Sequence, residues 1–259
     1  MKFFIKKNKN PLMTIISVVP GIDIDPLVKP EASSRFLPDW WKHIPSNAQV
    51  PNESFAHLTS QTAKKCPSFA HWFSQGVILR AWCDISLKYN KEDNMFIWTA
   101  GKEGSPYRVD WHDNNQFIDH VEFNFQGQTA KFIFKLDCPW RIITPKGWSV
   151  YQLPLFYHFN KQWTILPGII DTDVHHEINQ QVAYFPEGET ILIPKGTPLV
   201  QYIPFERKKN TFQVRYRSAE DAYLLESRWV QLRSKWRKGY LEAIKYEDER
   251  ESLMEEDTK

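Results

Sequence analysis

Ile143-Thr144-Pro145-Lys146-Gly147-Trp148, then Pro167-Gly168-Ile169-Ile170-Asp171-Thr172-Asp173, then Ile193-Pro194-Lys195-Gly196-Thr197-Pro198-Leu199-Val200-Gln201 are the stretches on which the fold turns. Twice an apolar run ends in Pro-Lys-Gly and a second apolar run begins. Proline presets the φ of one central turn position and glycine supplies the positive φ that another requires, so each Pro-Lys-Gly predicts a corner between two strands. The rest of 77–217 is written in the same manner. Short apolar or period-two runs lie at 77–82, 95–100, 121–125, 131–136, 163–166, 189–193, 199–203 and 211–217, broken by Gly, Pro and Asn. Strands at turn-limited spacing, with no helical period between them, predict an antiparallel sandwich, barrel or jelly roll.

Upstream, 20–51 carries Asp23, Asp25, Pro26, Pro30, Pro38, Pro45 and Pro51, a density that excludes long helices and predicts an extended arm wrapping the core. Only 36–41 can close a helical turn there. Adjacent Trp40 and Trp41 cannot share one face of it, so one indole is expected to anchor the arm on the core and the other to stay near the surface. The next segment, Cys66-Pro67-Ser68-Phe69-Ala70-His71-Trp72-Phe73-Ser74-Gln75-Gly76, predicts a short packing helix. Pro67 suits its first turn, Gly76 stops it, and Phe69, Trp72 and Phe73 fall on one face, leaving His71 outward. Downstream, Ser218 with Asp221 three residues later resembles a capping box. Leu225, Trp229, Leu232, Trp236 and Tyr240 then recur at spacings of four and three, which predicts an amphipathic helix. Its opposite face, with Arg228, Arg233, Lys235, Arg237 and Lys238, is expected in solvent, and its tryptophan stripe on the β core or on a neighbouring subunit. These signals divide the chain into an extended arm (1–60), a β-rich core (61–217), a C-terminal helix (218–246) and an acidic, disordered tail (247–259).

Composition narrows the classes of function. The 259 residues are 42% hydrophobic and 15% aromatic, which excludes a disordered or low-complexity chain. Lys and Arg number 33 against 31 Asp and Glu, so no global field recommends nucleic acid or an anionic membrane as partner. Cys66, Cys83 and Cys138 lie far apart and make no C-x-x-C pair, which predicts neither a disulfide scaffold nor a zinc cage, and a reduced compartment rather than secretion. Nothing approaches the roughly 18 apolar residues that span a bilayer.

The order of the three quoted segments resembles the trimeric dUTPase and dCTP deaminase superfamily, whose turn, Gly-Ile-Ile-Asp-x-Asp and Gly-x-x-x-x-Gln pieces occur here in the same sequence. The resemblance covers 140–205. It implies that Asp171 helps to hold a deoxyribose 3′-hydroxyl and the attacking water, and that Gln201 closes the last segment. It further implies turn glycines at Gly168 and Gly196, ligand-holding positions at Gly168, Asp173, Gln201 and Lys146, Mg2+ as companion of a bound nucleotide, and a homo-oligomer such as a trimer. The departures matter as much. The aromatic residue that stacks on the sugar falls at Val174 and the glycine two later at His176. The phosphate-binding Ser-Gly segment is replaced by Pro154-Leu155-Phe156-Tyr157-His158, and the Asp-Arg pair after the last glycine by Thr197-Pro198. A triphosphate carries about four negative charges, and a pocket without those donors has little to offset them. The expectation is a similar β scaffold whose pyrophosphatase chemistry is gone. Across its whole length, including Asp39-Trp40-Trp41 and the Cys66-Pro67 helix, the chain also resembles a domain of unknown function found in tailed phages and bacteria. That likeness implies an accessory or virion-associated protein, located in the cytoplasm of an infected or host cell or in the virion, with another phage protein as a partner.

Asp171-Thr172-Asp173-Val174-His175-His176-Glu177 packs five ionisable groups into seven residues. In a strand Asp171, Asp173, His175 and Glu177 would share one face, and such a set could bind a metal, run acid and base chemistry or hold a nucleotide. It could equally be a polar turn, a solvated strand edge or a subunit interface. A rival class is the iron-dependent oxygenase, whose facial triad is His-x-Asp/Glu with a second histidine downstream. His120-Val121-Glu122 supplies the first half and His175 or His176 the second, with Fe2+ as cofactor; otherwise His120 and Glu122 are an exposed strand pair. There is no G-x-S-x-G elbow, Walker loop or G-x-G-x-x-G.

The sequence therefore predicts a mainly β, jelly-roll or β-clip-like (dUTPase-like) core with a Pro-rich arm and a C-terminal helix. The expected function is a binding or assembly module. The enzymatic alternatives are a nucleotide hydrolase or deaminase using Asp171, and a metal-dependent oxygenase using His120, Glu122 and His175.

Overall fold

The structure, a computed structural model, describes residues 12–49, 59–103, 106–122, 124–125, 127–208, 212–219, 221–223 and 226. In chain order its first elements are β1 (Thr14–Ser17), β2 (Glu31–Ala32), α1 (Asp39–His43), β3 (Asn47–Gln49), β4 (Thr59–Gln61) and α2 (Pro67–Ser74). Then come β5 (Val77–Arg80), β6 (Ile85–Asn90), β7 (Met95–Ala100), β8 (Val109–His112), β9 (Asn124–Phe125), β10 (Gln128–Thr129), β11 (Phe132–Leu136) and β12 (Trp140–Ile143). The last are β13 (Trp148–Pro154), β14 (Trp163–Ile165), β15 (Gly168–Ile170), β16 (Gln180–Tyr184), β17 (Thr190–Ile193) and β18 (Pro198–Glu206). The protein is mainly β, and among the described residues every strand pair is antiparallel.

The chain divides into two units, 1–38 with 74–208, and 39–73 with 209–259. The first holds a five-stranded sheet ordered β15-β13-β18-β5-β2, a four-stranded sheet ordered β14-β16-β11-β8, a three-stranded sheet ordered β17-β6-β7 and the pair β1-β12. Alternation builds these sheets. In β6, Ile85, Leu87 and Tyr89 turn inward while the residues between them stay half-exposed. Leu79, Val200 and Tyr202 from the five-stranded sheet meet Phe132, Phe134 and Tyr184 from the four-stranded one in a single core. Each fully buried aliphatic or aromatic side chain there contributes about 1.5–3 kcal/mol. Tyr89 stacks on Phe132 with centroids 4.2 Å apart, and Phe132 meets Phe134 edge-on at 4.9 Å. On β11, Ile133 faces away from this core into a smaller cluster with Ala183, Leu166 and Phe185, which is why that strand is apolar on both faces.

The proline-rich segment leading to β2 runs as successive turns, closed by Ile22 N to Val19 O, Asp25 N to Ile22 O and Val28 N to Asp25 O. Ile22 and Val28 are buried in the core, and Arg80 on β5 donates to the carbonyls of Pro26 and Leu27 and pairs with Glu31. Within the second unit Trp41 is buried against Phe73 and Phe69 of α2, with centroids 5.0 and 5.5 Å away. Trp40, half-buried, meets Phe69 edge-on at 6.1 Å. One indole is thus buried and the other half-buried, but the buried one packs on the helix predicted after Cys66, within the second unit.

Three expectations are corrected or cut short. Residues 212–217 form no strand, and Phe212, Val214 and Tyr216 stand exposed. Alternation alone does not make a strand when no neighbouring strand supplies the ladder. The run expected at 121–125 shrinks to the two residues of β9, because the amides of His120 and Val121 both turn back to the Phe117 carbonyl. The C-terminal helix begins as the capping signal predicted: Ser218 N donates to Asp221 Oδ2 at 2.8 Å and Asp221 N donates to Ser218 Oγ at 3.1 Å. The stripe from Leu225 to Tyr240 and the acidic tail lie outside the described residues. Among the described residues no helix is long and apolar enough to cross a membrane.

Candidate functional site

Both Pro-Lys-Gly segments are tight turns, closed by Trp148 N to Pro145 O and by Thr197 N to Pro194 O, each at 3.0 Å. Gly147 and Gly196 hold φ of +84° and +86°, as the turn chemistry requires. The first corner leads into β13, which pairs with β15 on one side and β18 on the other. The register opposes Trp148 to Glu206, so the residue after β18, Arg207, falls beside the corner. Its amide donates to the Gly147 carbonyl at 2.8 Å.

β15 ends at Ile170 and delivers Asp171 into a turn, with Val174 N and His175 N both donating to the Asp171 carbonyl. The turn is stitched to the β12–β13 corner. Thr144 and Thr172 share a buried hydroxyl contact of 2.8 Å, and Ile142 N donates to His176 O at 3.1 Å. His176 Nδ1 lies 2.9 Å from the Thr172 carbonyl, and Arg141 pairs with Glu177 at 3.1 Å.

Arg207 is the centre of this arrangement. Its guanidinium donates to both carboxylate oxygens of Asp173, at 2.8 and 2.5 Å, and lies 3.0 Å from Asp171 Oδ1. It also donates to Ser149 Oγ at 2.7 Å, and that hydroxyl donates in turn to Asp171 Oδ1 at 2.6 Å. Gly147 N adds a further bond to Asp173 Oδ2 at 2.8 Å. Bidentate pairing with Arg207, helped by that backbone amide, holds the Asp173 carboxyl well below the usual carboxylate range, at about 2, and the carboxylates raise Arg207 in return. Asp173 therefore stays ionised at neutral pH and cannot act as a general acid there. Asp171 is more open, with its side chain 59% exposed, so only its second oxygen faces solvent uncommitted.

The other predicted site residues are dispersed. Gly168 lies on β15 with open space where a side chain would be, and Lys146 is exposed at the first corner. Gln201 is buried on β18, donating to the Gln75 carbonyl at 2.8 Å and to Ser33 Oγ at 3.3 Å. Arg207 lies six positions further along the chain, about 20 Å at the usual rise. His120 and Glu122 are exposed in a loop and His175 is exposed in the turn after β15. Among the described residues no group of three His, Cys, Asp or Glu side chains is placed to hold a metal. A resident Mg2+ does not fit the Asp171 cluster either, because both Asp173 oxygens are taken and a guanidinium sits against Asp171. Ser149 and Thr144 carry no sequence signal of their own, and Arg207 lies too far along the chain to be read with the acidic bend. The Arg207 signal lies in register, since it becomes visible only once β13 is paired with β18.

No family model matches this sequence, and no curated relative was found. Two similar solved structures are dUTPases. A native dUTPase of EIAV is 14% identical, covering 56% of this chain and 85% of its own with a TM-score of 0.30. A point mutant of the dUTPase from phage phi11 of S. aureus, described as coordinating a structural Mg(II) ion, is 11% identical, covering 44% of this chain and 99% of its own with a TM-score of 0.26. At such scores neither likeness says anything of ligand or reaction, and the β architecture stands on the strand pairing above.

Proposed function

We propose that this chain is a binding or assembly module, of the accessory or virion-associated kind encoded by phages, built on a dUTPase-like β scaffold and working as a homo-oligomer without nucleotide hydrolysis. The observation that supports this reading is that Arg207, with Ser149 and Gly147, engages both oxygens of Asp173 and one of Asp171. A carboxylate that is to position a sugar hydroxyl and a water has to be free to accept from them. Asp173 accepts from Arg207 and Gly147 with both oxygens, and Asp171 gives one oxygen to Ser149 and Arg207. The cluster locks the end of β18 to the β13 corner and the β15 turn, which is structural work. The outer face beside it carries apolar groups suited to association: Ile169 is 60% exposed, and Tyr151 stacks on Phe205 at 4.1 Å.

A thermal-shift panel of deoxynucleotides, Mg2+ and Fe2+, read beside sedimentation equilibrium, tests this. A ligand that binds only the folded state raises the melting temperature. The reading predicts a flat panel and a particle mass that is a multiple of 30.7 kDa. A deoxynucleotide-dependent rise in melting temperature that Asp171→Asn abolishes would overturn it in favour of a divergent hydrolase or deaminase.

A further inference from the structure

β1 is paired with β12 alone, and the far side of β12 is closed by Ile142 N donating to the His176 carbonyl and by a bridge between Arg141 and Glu177. That leaves β1 as the free edge of the pair. Its register sets Ser17 against Trp140, and the bond from Val18 N to Pro139 O at 2.8 Å continues the ladder by one residue. Bonded positions alternate in an antiparallel pair, so Thr14, Ile16 and Val18 face β12, whereas Ile15 and Ser17 direct their N–H and C=O groups to the free edge. Those groups have no backbone partner among the described residues.

The strand is not sunk in the core. Met13, Ile15 and Val19 pack on the core from one face, while Thr14, Ile16 and Val18 stand on the other, with Ile16 45% and Val18 53% exposed. Ile15 and Ser17 are themselves only half-buried. Proteins that stay apart guard such an edge with a charge, a proline or a bulge. From 12 to 19 the chain reads Leu-Met-Thr-Ile-Ile-Ser-Val-Val, with no charge and no proline, and the β1–β12 register runs without a shift.

Ile15 and Ser17 lie symmetrically about Ile16. A second β1 laid antiparallel across a two-fold axis at Ile16 sets Ile15 of each copy against Ser17 of the other, and each such pair can exchange both of its backbone bonds. The edge complements itself. Charge selects the same direction: no Asp, Glu, Lys or Arg occurs from 10 to 22, Lys6, Lys7 and Lys9 precede that run, and Asp23 and Asp25 follow it, Asp25 in a pair with Lys195. Antiparallel association brings the basic end of one copy to the acidic end of the other, where parallel association would set like charge against like.

We propose that β1 is the interface of a two-fold dimer, pairing with β1 of a second copy to make a four-stranded sheet ordered β12-β1-β1-β12. The two Ile16 side chains meet on the axis at a non-bonded pair, where cross-strand side chains come closest. The proposal rests on the homo-oligomer of the reading above and names its surface, and it does not involve the Asp171 cluster. Nucleotide turnover would overturn the assembly reading and leave the edge standing.

The test is cross-linking in a Cys66→Ser background. Cα atoms of a non-bonded pair lie about 4.5 Å apart, within disulfide reach, so Ile16→Cys is expected to give a linked dimer under mild oxidation. Thr14→Cys is the register control, since its counterpart lies four residues along the facing strand, about 13 Å, and it should stay unlinked. Sedimentation equilibrium of the unaltered chain, from about 1 to 200 µM, is expected to move from 30.7 kDa toward twice that mass. Ser17→Pro removes an outward N–H that β12 does not use, and should weaken this association about tenfold or more. Ser17→Ala loses the same hydroxyl bond to the Val19 carbonyl but keeps that N–H, and should associate as the parent does. A monomer at every concentration would overturn the edge and the homo-oligomer together. An oligomer in which Ile16→Cys stays unlinked, Thr14→Cys links as readily, or Ser17→Pro matches Ser17→Ala would overturn the edge alone, as would a trimer.

Discussion

Tyr202→Phe removes one oxygen from the core of the first unit and nothing else. Tyr202 is fully buried on β18. Its hydroxyl donates to Gln152 Oε1 at 2.7 Å and accepts from Gln180 Nε2 at 2.9 Å, and Gln152 Nε2 donates onward to the Leu166 carbonyl at 3.2 Å. Burial raises the Tyr202 hydroxyl well above its ordinary pKa, so it is neutral and donates. Phenylalanine fills the same ring volume, so no cavity opens. The change instead strands a buried acceptor on Gln152 and weakens the bonding of Gln180, whose Oε1 already lacks a partner. A stranded buried polar group costs about 1–3 kcal/mol, and since Gln180 Nε2 keeps the Ile178 carbonyl at 3.3 Å, the one stranded acceptor predicts a loss of about 1–3 kcal/mol. Urea unfolding followed by tryptophan fluorescence should show the midpoint falling with an unchanged slope. The matched control is Tyr151→Phe on the outer face of the same sheet, expected to stay within about 0.5 kcal/mol. A Tyr202→Phe loss no larger than that of the control would refute the polar-network account of this core.

Other single features carry their own expected outcomes. Gly76 holds φ +64° with Tyr202 O only 1.9 Å from where a Cβ would sit, so Gly76→Ala should abolish or severely reduce soluble expression. Gly147 holds φ +84° in open space, so Gly147→Ala should cost only the left-handed strain, about 1–2 kcal/mol in chemical denaturation. The Asp173 carboxyl titrates in the folded state at about 2, below its ordinary unfolded value of about 4. Its contribution is therefore present in full above about pH 4 and lost as pH falls through 2, and Arg207→Met should flatten the acid limb of a melting-temperature profile across that window. Burial pushes the Cys83 and Cys138 thiols up to about 12, while Cys66 is partly exposed. A native thiol titration with a disulfide reagent should therefore count Cys66 alone, and a burst of two or more would contradict the packing.

How much could be read in advance depended on how local the cause was. The two Pro-Lys-Gly corners, the Pro67–Ser74 helix with its Phe69 and Phe73 face, and the Ser218–Asp221 cap are fixed by neighbours in sequence, and the structure bears them out. Strands such as β6, with the alternation of Ile85, Leu87 and Tyr89, carry a period that one face of a sheet imposes, although β6 itself is masked in the sequence by the more apolar β5 beside it. The segment 212–217 shows the same period and forms no strand, because pairing depends on a partner that periodicity does not name. His120 and Glu122 read as strand neighbours only while the turn bonds to Phe117 are unknown. In the site, Asp171 and Asp173 were legible as a polar bend after an apolar strand. Arg207, which decides what that bend can do, was not, since it arrives through the long-range register of Trp148 against Glu206.

Arg207 commits Asp173 and one oxygen of Asp171 to holding the fold. Pyrophosphate release from each deoxynucleoside triphosphate, with Mg2+ and enzyme in excess over substrate, measures it most directly. The account predicts release no faster than the protein-free blank for every nucleotide. Release that exceeds the blank and disappears in Asp171→Asn, with that variant melting as the parent does, would contradict it.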